Sequence, residues 1–212
     1  MKKKLWKIPF LLGILLILTA GGLCICNIHA DRTAFERSQE VMSKLRDIIP
    51  ETSAAASTAP QPTSEDLFAP YEEPTTIHAE MPAVEVNGCD YCGYITLPAL
   101  GLELPVTSEW SMNELKNSPC RYSGTAEGHD LIIAAHNYNS HFGRIGSLVQ
   151  DDEVYFTDIN GCKYRYTVVS AEVIDGRDID RMLSGQTEQW DLTLFTCTLD
   201  GKSRVTIRAI CG

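Results

Sequence analysis

A thiol, a guanidinium and an imidazole stand in this chain where the surrounding residues read as strand ends. Leu192 to Thr196 are aliphatic, β-branched or aromatic, Asp200-Gly201 is a turn dipeptide, and Val205 and Ile207 alternate with polar neighbours. That is the pattern of two antiparallel strands joined by a turn. Cys197 falls where the first strand runs out and Arg204 opens the second, so a thiol and a cation meet across one hairpin. A nearby cation favours a thiolate and can hold an oxyanion, which suits a nucleophilic cysteine. Taken alone, the hairpin fits a buried structural cysteine beside a surface arginine better, since free cysteine is usually a small buried hydrophobe. His136 ends the apolar run Leu131 to Ala135 and opens the polar loop Asn137-Tyr138-Asn139-Ser140-His141. A histidine at one strand end can reach the next, and a Cys–His pair supplies a nucleophile, a proton acceptor and later a proton donor. Two residues compete for these roles. Arg208 lies on the same strand face as Arg204, which faces Cys197 by the shorter path; His141 lacks the buried strand that would fix His136.

The rest of the chain must deliver these groups. Of 212 residues, 18 are basic and 28 acidic, a formal net charge of −10. Lys2, Lys3, Lys4 and Lys7 lie in the first seven positions, so beyond them 14 basic residues face 28 acidic ones. So acidic a body has no basic stripe to neutralise phosphates, which excludes nucleic acid as a partner. Ile8 to Cys26 is 19 residues without a charge, enough to span a bilayer core as a helix with the lysines held in the cytoplasm. The run is long for a signal-peptide core and no small-x-small cleavage site follows, so residues 1–28 read as an uncleaved signal anchor. Neither Cys24 nor Cys26 follows the small residues of a lipidation site. The expected location is a single-pass membrane protein with its body outside the cell.

Residues 29–50 carry apolar side chains at helical spacing (Ala34, Phe35, Val41, Met42, Leu45, Ile48, Ile49) and end at Pro50, which predicts a short amphipathic helix lying near the membrane. Residues 51–83, rich in Pro, Ser, Ala and Thr, predict a semi-extended tether that holds the following domain away from the surface. The domain, 84–212, is long enough for one core. Strands are predicted at Tyr94–Leu97, Leu102–Val106, Asp130–Ala135, Glu153–Asp158, Lys163–Val169 and in the opening hairpin, with Asn160-Gly161 as a turn. Short helices are predicted at Ser111–Asn117 and Asp178–Leu183. Many short strands and few helices imply a mainly β fold, a closed or nearly closed β-barrel.

Thr193-Leu194-Phe195-Thr196-Cys197 resembles the T-L-x-T-C signature of the sortases, with an arginine downstream at the head of the next strand. Ala134-Ala135-His136-Asn137 is similar to that family's A-G-H-N motif, with Ala135 in place of the common glycine. Phe142 to Val154 resembles its F-x-x-L-x-x-L-x-x-G-D-x-V run, with Asp151 where glycine is usual, and Ile95 to Val106 resembles its opening hairpin. The resemblance spans the domain in order. It implies an eight-stranded sortase β-barrel behind a transmembrane helix and a cysteine transpeptidase of the cell membrane. Cys197 would attack the threonine carbonyl of a C-terminal LPxTG-like sorting signal, His136 would protonate the departing amine and deprotonate the incoming one, and Arg204 would hold the substrate backbone or oxyanion. Thr196, Asn137 and Arg208 are candidate substrate contacts. The implied partners are surface proteins bearing such a signal and an amine acceptor, a cell-wall precursor or a pilin lysine. No metal or other cofactor is expected for the chemistry; calcium ordering of a loop stays open.

Several alternatives stand beside this. A papain-like wall peptidase or amidase would place cysteine before histidine, on a helix. A non-enzymatic membrane-tethered β-barrel binding module would leave Cys197 no more reactive than the other thiols. Little room for a helical insertion before Trp190 counts against class B, and the lack of a second hydrophobic segment after Arg208 counts against the pilus-building class. Asp66-Leu67-Phe68 faintly resembles that class's lid. Cys89-Asp90-Tyr91-Cys92 is one C-x-x-C pair, too few ligands for zinc; with Cys120, Cys162 and Cys211 these thiols fit either disulfides or reduced side chains.

Overall fold

The computed structural model describes residues 7–50, 81–183 and 190–212. Among the described residues nine strands form one sheet: β1 (Val84–Val86), β2 (Cys89–Leu97), β3 (Leu102–Thr107), β4 (Cys120–Ser123), β5 (Leu131–Ala134), β6 (Glu153–Asp158), β7 (Lys163–Asp175), β8 (Leu192–Cys197) and β9 (Ser203–Cys211). The order β1-β2-β3-β4-β5-β8-β9-β7-β6 closes on itself through a second pairing of β2 with β6. Eight strands, β2 to β9, therefore make a closed barrel and leave no exposed sheet edge along its wall; β1 is added outside it along β2. The expected mainly β, eight-stranded closed barrel is the fold observed. Closure depends on Gly93, whose φ is 153° at a bulge in β2. A Cβ there would collide with the backbone of Thr157 and Asp158 on β6, so only glycine lets the closing strands approach.

The barrel is filled by Ile95, Leu104, Val106, Leu131, Ile133, Phe142, Phe156, Val168, Leu194 and Ile207, among others, all buried. Along β5 the side chains alternate as the pleat demands. Leu131, Ile133 and Ala135 enter this core, while Ile132 and Ala134 join Ile174, Met182 and Phe195 in a second cluster on the outer face. That cluster is capped by α2 (Ile179–Leu183), at the expected place. The helix expected over Ser111–Asn117 is reduced to one 3-10 turn, Glu114–Lys116, although Ser111 Oγ accepts the Glu114 N–H at 3.1 Å as a cap would. Two strands escaped the sequence reading. β1 and β4 are three and four residues long, too short to show a period. β7 continues to Asp175 because β9 keeps pairing with it, across a bulge between Val168 and Ser170.

The N-terminal region departs most from expectation. Residues Lys7–Ile48 form one unbroken helix, α1, of 42 residues, about 63 Å long at 1.5 Å per residue. Its N-terminal part is apolar enough to cross a membrane, with a mean hydropathy of 2.4 and no burial within the protein. The C-terminal part is not a helix lying on the membrane: it docks on the barrel. Val41, Met42, Leu45 and Ile49 pack with Val86 and Tyr91 of β1 and β2. Arg37 donates to Asn117 and Lys44 to Asn87, each at 2.7 Å, and Arg46 pairs with Glu103 at 2.5 Å. Burying each large apolar side chain contributes roughly 1.5–3 kcal/mol, against about 0–1 kcal/mol for an exposed ion pair, so the apolar stripe holds the helix. The segments expected as 1–28 and 29–50 therefore join in one continuous helix from Lys7 to Ile48. Most of the segment 51–83, including Asp66 to Phe68, lies outside the described residues.

Candidate active site

β5 and β8 run parallel, with Ala134 opposite Phe195, and the Ala135 N–H donates to the Phe195 carbonyl at 3.1 Å. Carried two residues further, this register sets His136 beside Cys197 as both strands end. Alternation along β5 directs His136 to the outer face, the face that Phe195 and, two residues on, Cys197 share. β8 and β9 pair antiparallel with Cys197 directly opposite Arg204. Directly opposed residues project on one side of a sheet, so thiol, imidazole and guanidinium emerge from three neighbouring strands onto one rim. The turn between β8 and β9 is held by Asp200, whose carboxylate accepts from Thr198 Oγ1 at 2.6 Å, and by Gly201 at φ 71°.

A cleft of about 540 Å³ opens over Cys197. Its walls include Asn137, Asn139, Gly143, Thr196, Leu199 and Val205. Leu199 is 98% exposed at the rim. Gly143 lets the turn after His136 close tightly: a Cβ there would lie 2.5 Å from the Asn137 carbonyl oxygen and 2.7 Å from that of Tyr138. His136 is half-buried, and this burial pushes its pKa below the ordinary histidine value, while a hydrogen bond with the Asn137 side chain works the other way and Lys116 adds to the lowering. The imidazole is thus neutral at pH 7, the form that can accept a proton. It stacks flat on Tyr138, ring centroids 4.1 Å apart and planes within 3°. Arg204 Nη1 donates to the Gly201 and Ser203 carbonyls at 3.1 and 3.0 Å, so the guanidinium lies against its own hairpin, close to Gly176. Among the described residues no hydrogen bond joins the Cys197 thiol to His136.

The strand register thus brings His136, Cys197 and Arg204 to neighbouring strand ends; Asn137 and Thr196 line the cleft with Cys197, and Arg208 lies apart from it. Thr196 is 3% exposed, and its hydroxyl donates to the Ala135 carbonyl at 2.8 Å, strapping the ends of β5 and β8 together beneath the cleft. Arg208 is fully buried. Its guanidinium donates to Thr193 Oγ1 at 2.5 Å and to the carbonyls of Arg181 and Met182, pairs with Glu172 at 3.4 Å, and lies 4.7 Å from the centre of the Trp190 ring. It ties α2 to the barrel and has no path to a substrate at Cys197. His141 is buried too, with neither ring nitrogen hydrogen-bonded, and burial pushes its pKa down to about 4. Tyr138 was not singled out from the sequence; an aromatic ring two residues past a strand-end histidine was the available signal. All eight cysteines are unpaired thiols.

The family model for the sortase domain matches residues 95–211, more than half of the chain. A comparison with curated proteins returns no match. Among solved structures, a sortase D5 transpeptidase of Clostridium perfringens is 25% identical, with 60% of this chain covering 81% of that one at a TM-score of 0.50. A Clostridium perfringens sortase C solved with its C-terminal cell wall sorting motif is 24% identical over 58% of this chain and 71% of that one, also at 0.50. A pilus-related sortase C of Group B Streptococcus is 22% identical over 60% and 69%, again at 0.50. The last two bear on the fold alone: they share its closed barrel. With the family model spanning β2 to β9 and the strand ends carrying cysteine, histidine and arginine side by side, the chain belongs to the sortase family.

Proposed function

We propose that this sortase is a membrane-anchored transpeptidase acting on proteins with a C-terminal LPxTG-like sorting signal. Family membership supports a transpeptidase; the strand register that aligns His136, Cys197 and Arg204 on one rim carries the residue assignment. Cys197 Sγ attacks the carbonyl carbon of the signal's threonine while its proton passes to His136. Arg204 leaves the hairpin carbonyls to meet the developing oxyanion or the substrate backbone, bringing a cation to where negative charge grows. The C–N bond breaks, His136 returns the proton to the departing amine, and a thioester remains on Cys197. An incoming amine, from a cell-wall precursor or a pilin lysine, loses a proton to His136, attacks the thioester and expels Cys197 Sγ, which takes that proton back from His136. The sequence requires no metal. The basic tip at Lys2 to Lys7 supports a cytoplasmic N-terminus and a catalytic barrel outside the cell.

The test is a transfer assay with the full chain in detergent micelles, a panel of LPxTG-like peptides and an added amine, read by chromatography of the products. A new amide whose formation falls by about 10²–10³ in kcat for Arg204→Ala, the usual cost of removing one oxyanion contact, is the expected result. Cleavage that yields only the free acid at every amine concentration would favour a wall thiol peptidase, and no turnover of any peptide would favour a binding module.

A further inference from the structure

The helix that leaves the membrane also reaches the active-site loop. Asp31 is the first acidic residue after the apolar run Ile8 to Cys26. Its carboxylate accepts the Ser140 backbone N–H at 3.0 Å and the Ser140 hydroxyl, and the Asp31 carbonyl lies 3.2 Å from that hydroxyl. Ser140 belongs to the turn that follows His136, a turn closed by the Tyr138 carbonyl, which accepts from His141 at 3.0 Å and Gly143 at 2.8 Å. Tyr138 stacks on His136 on one side, and its centroid lies 5.8 Å from that of the buried His141 on the other. Asn137 and Asn139 of the same turn line the cleft over Cys197.

We propose that Asp31 is a positioning residue for the reaction: through Ser140 it fixes the turn that holds Tyr138 against His136, making the membrane-anchor helix part of the active site. The assignment of His136 as proton carrier rests on the function proposed above; the clamp does not. α1 is held on the barrel independently by Val41, Met42, Leu45 and Ile49, so Asp31 presents its carboxylate from a fixed support. A turn held at both ends keeps the imidazole partly out of water, and small displacements of such a group are costly, with about 1 Å of misplacement able to cost roughly a hundredfold in rate. The groups facing the turn are His136, His141 and Asp31, with Lys116 close enough to act on His136.

The experiment follows the His136 titration by NMR in the full chain, selectively labelled at histidine, in detergent micelles, with His136→Gln to assign the resonance. In Asp31→Ala the turn loosens, water reaches the ring, and the His136 midpoint moves up towards the ordinary histidine value. Asp31→Asn keeps an oxygen that can accept the Ser140 N–H and leaves the midpoint near wild type. A purely electrostatic effect has the opposite sign and appears in both variants, because removing a negative charge lowers a histidine pKa. Ser140→Ala, which keeps the N–H bond and loses the hydroxyl bond, falls between wild type and Asp31→Ala. The accompanying loss in Asp31→Ala is about tenfold to a hundredfold in the rate at which a peptide acylates Cys197, with little change in KM. An unchanged His136 midpoint in folded Asp31→Ala overturns the clamp, as does an equal shift in Asp31→Asn. Because the titration needs no substrate, a shifted midpoint in a protein that cleaves no peptide would sink the transpeptidase reading and leave the clamp standing.

Discussion

Thr196→Val isolates one hydroxyl at the base of the site. The substitution keeps the shape of a side chain that is 3% exposed and removes the bond to the Ala135 carbonyl at 2.8 Å. A typical buried hydrogen bond contributes about 0.5–1.5 kcal/mol net, and a carbonyl left without a partner raises the loss to about 1–3 kcal/mol. For a folded body of this size each kcal/mol lowers Tm by roughly 3–5 °C, so a fall of about 3–15 °C is expected. The bond joins the last residues before His136 and Cys197, so their separation loosens with it. A fall of about tenfold in kcat is expected, with KM little altered. Thr196→Ser, which keeps the hydroxyl, retains most of the rate. Thermal unfolding followed by circular dichroism and a peptide cleavage assay on the same samples decide the matter. If Thr196 instead contacts substrate, KM rises in the valine variant while Tm stays at the wild-type value, and the strap is refuted.

Arg208→Met strands the Thr193 hydroxyl and two carbonyls around a fully buried site, while Glu172 keeps its pair with Arg181 at 2.6 Å; each buried polar group left without a partner costs about 1–3 kcal/mol. Chemical denaturation should register that loss, and KM for a peptide substrate should not change in whatever fraction stays folded. Stability should also depend on pH through His141. Folded His141 resists protonation down to about 4, whereas an unfolded histidine protonates near 6.5. Its contribution is therefore complete above about pH 6.5 and lost as pH falls towards 4, up to about 3 kcal/mol. His141→Leu should flatten the curve of Tm against pH in that window. Leu45→Ala, at a fully buried position of α1, should cost about 2–5 kcal/mol of helix docking, seen as faster amide hydrogen exchange over Val41 to Ile49.

Much of the fold was legible because its strands obey a period of two between recognisable turns. Asn160-Gly161 marked the β6–β7 hairpin, and the apolar run before His136 marked β5. Asp151, noted in the sequence as standing where glycine is usual, adopts φ 72°, which an aspartate tolerates better than a bulky residue. What could not be read was set by contacts distant in the chain. The stripe of α1 announced an apolar face but not that Val86 and Tyr91 would cover it. Arg208 and Arg204 look alike on one strand face, and only the packing of α2 and Trp190 over Arg208 separates a structural guanidinium from one at the rim. Thr196 precedes Cys197, a position that invites a substrate role, but the parallel β5–β8 register turns its hydroxyl onto Ala135. Asp31 and Ser140 stand 109 residues apart, beyond the reach of any local pattern.

The central claim is that Cys197 is acylated by a sorting signal and deacylated by an amine. Intact-mass spectrometry of the full chain in micelles, incubated with LPxTG-like peptides and then with an amine, tests it most directly. The account predicts a mass increase equal to the peptide fragment ending in threonine, located to Cys197, absent in Cys197→Ala and released as an amide when amine is added. An adduct on another of the eight thiols, or an adduct that persists in Cys197→Ala, would contradict it.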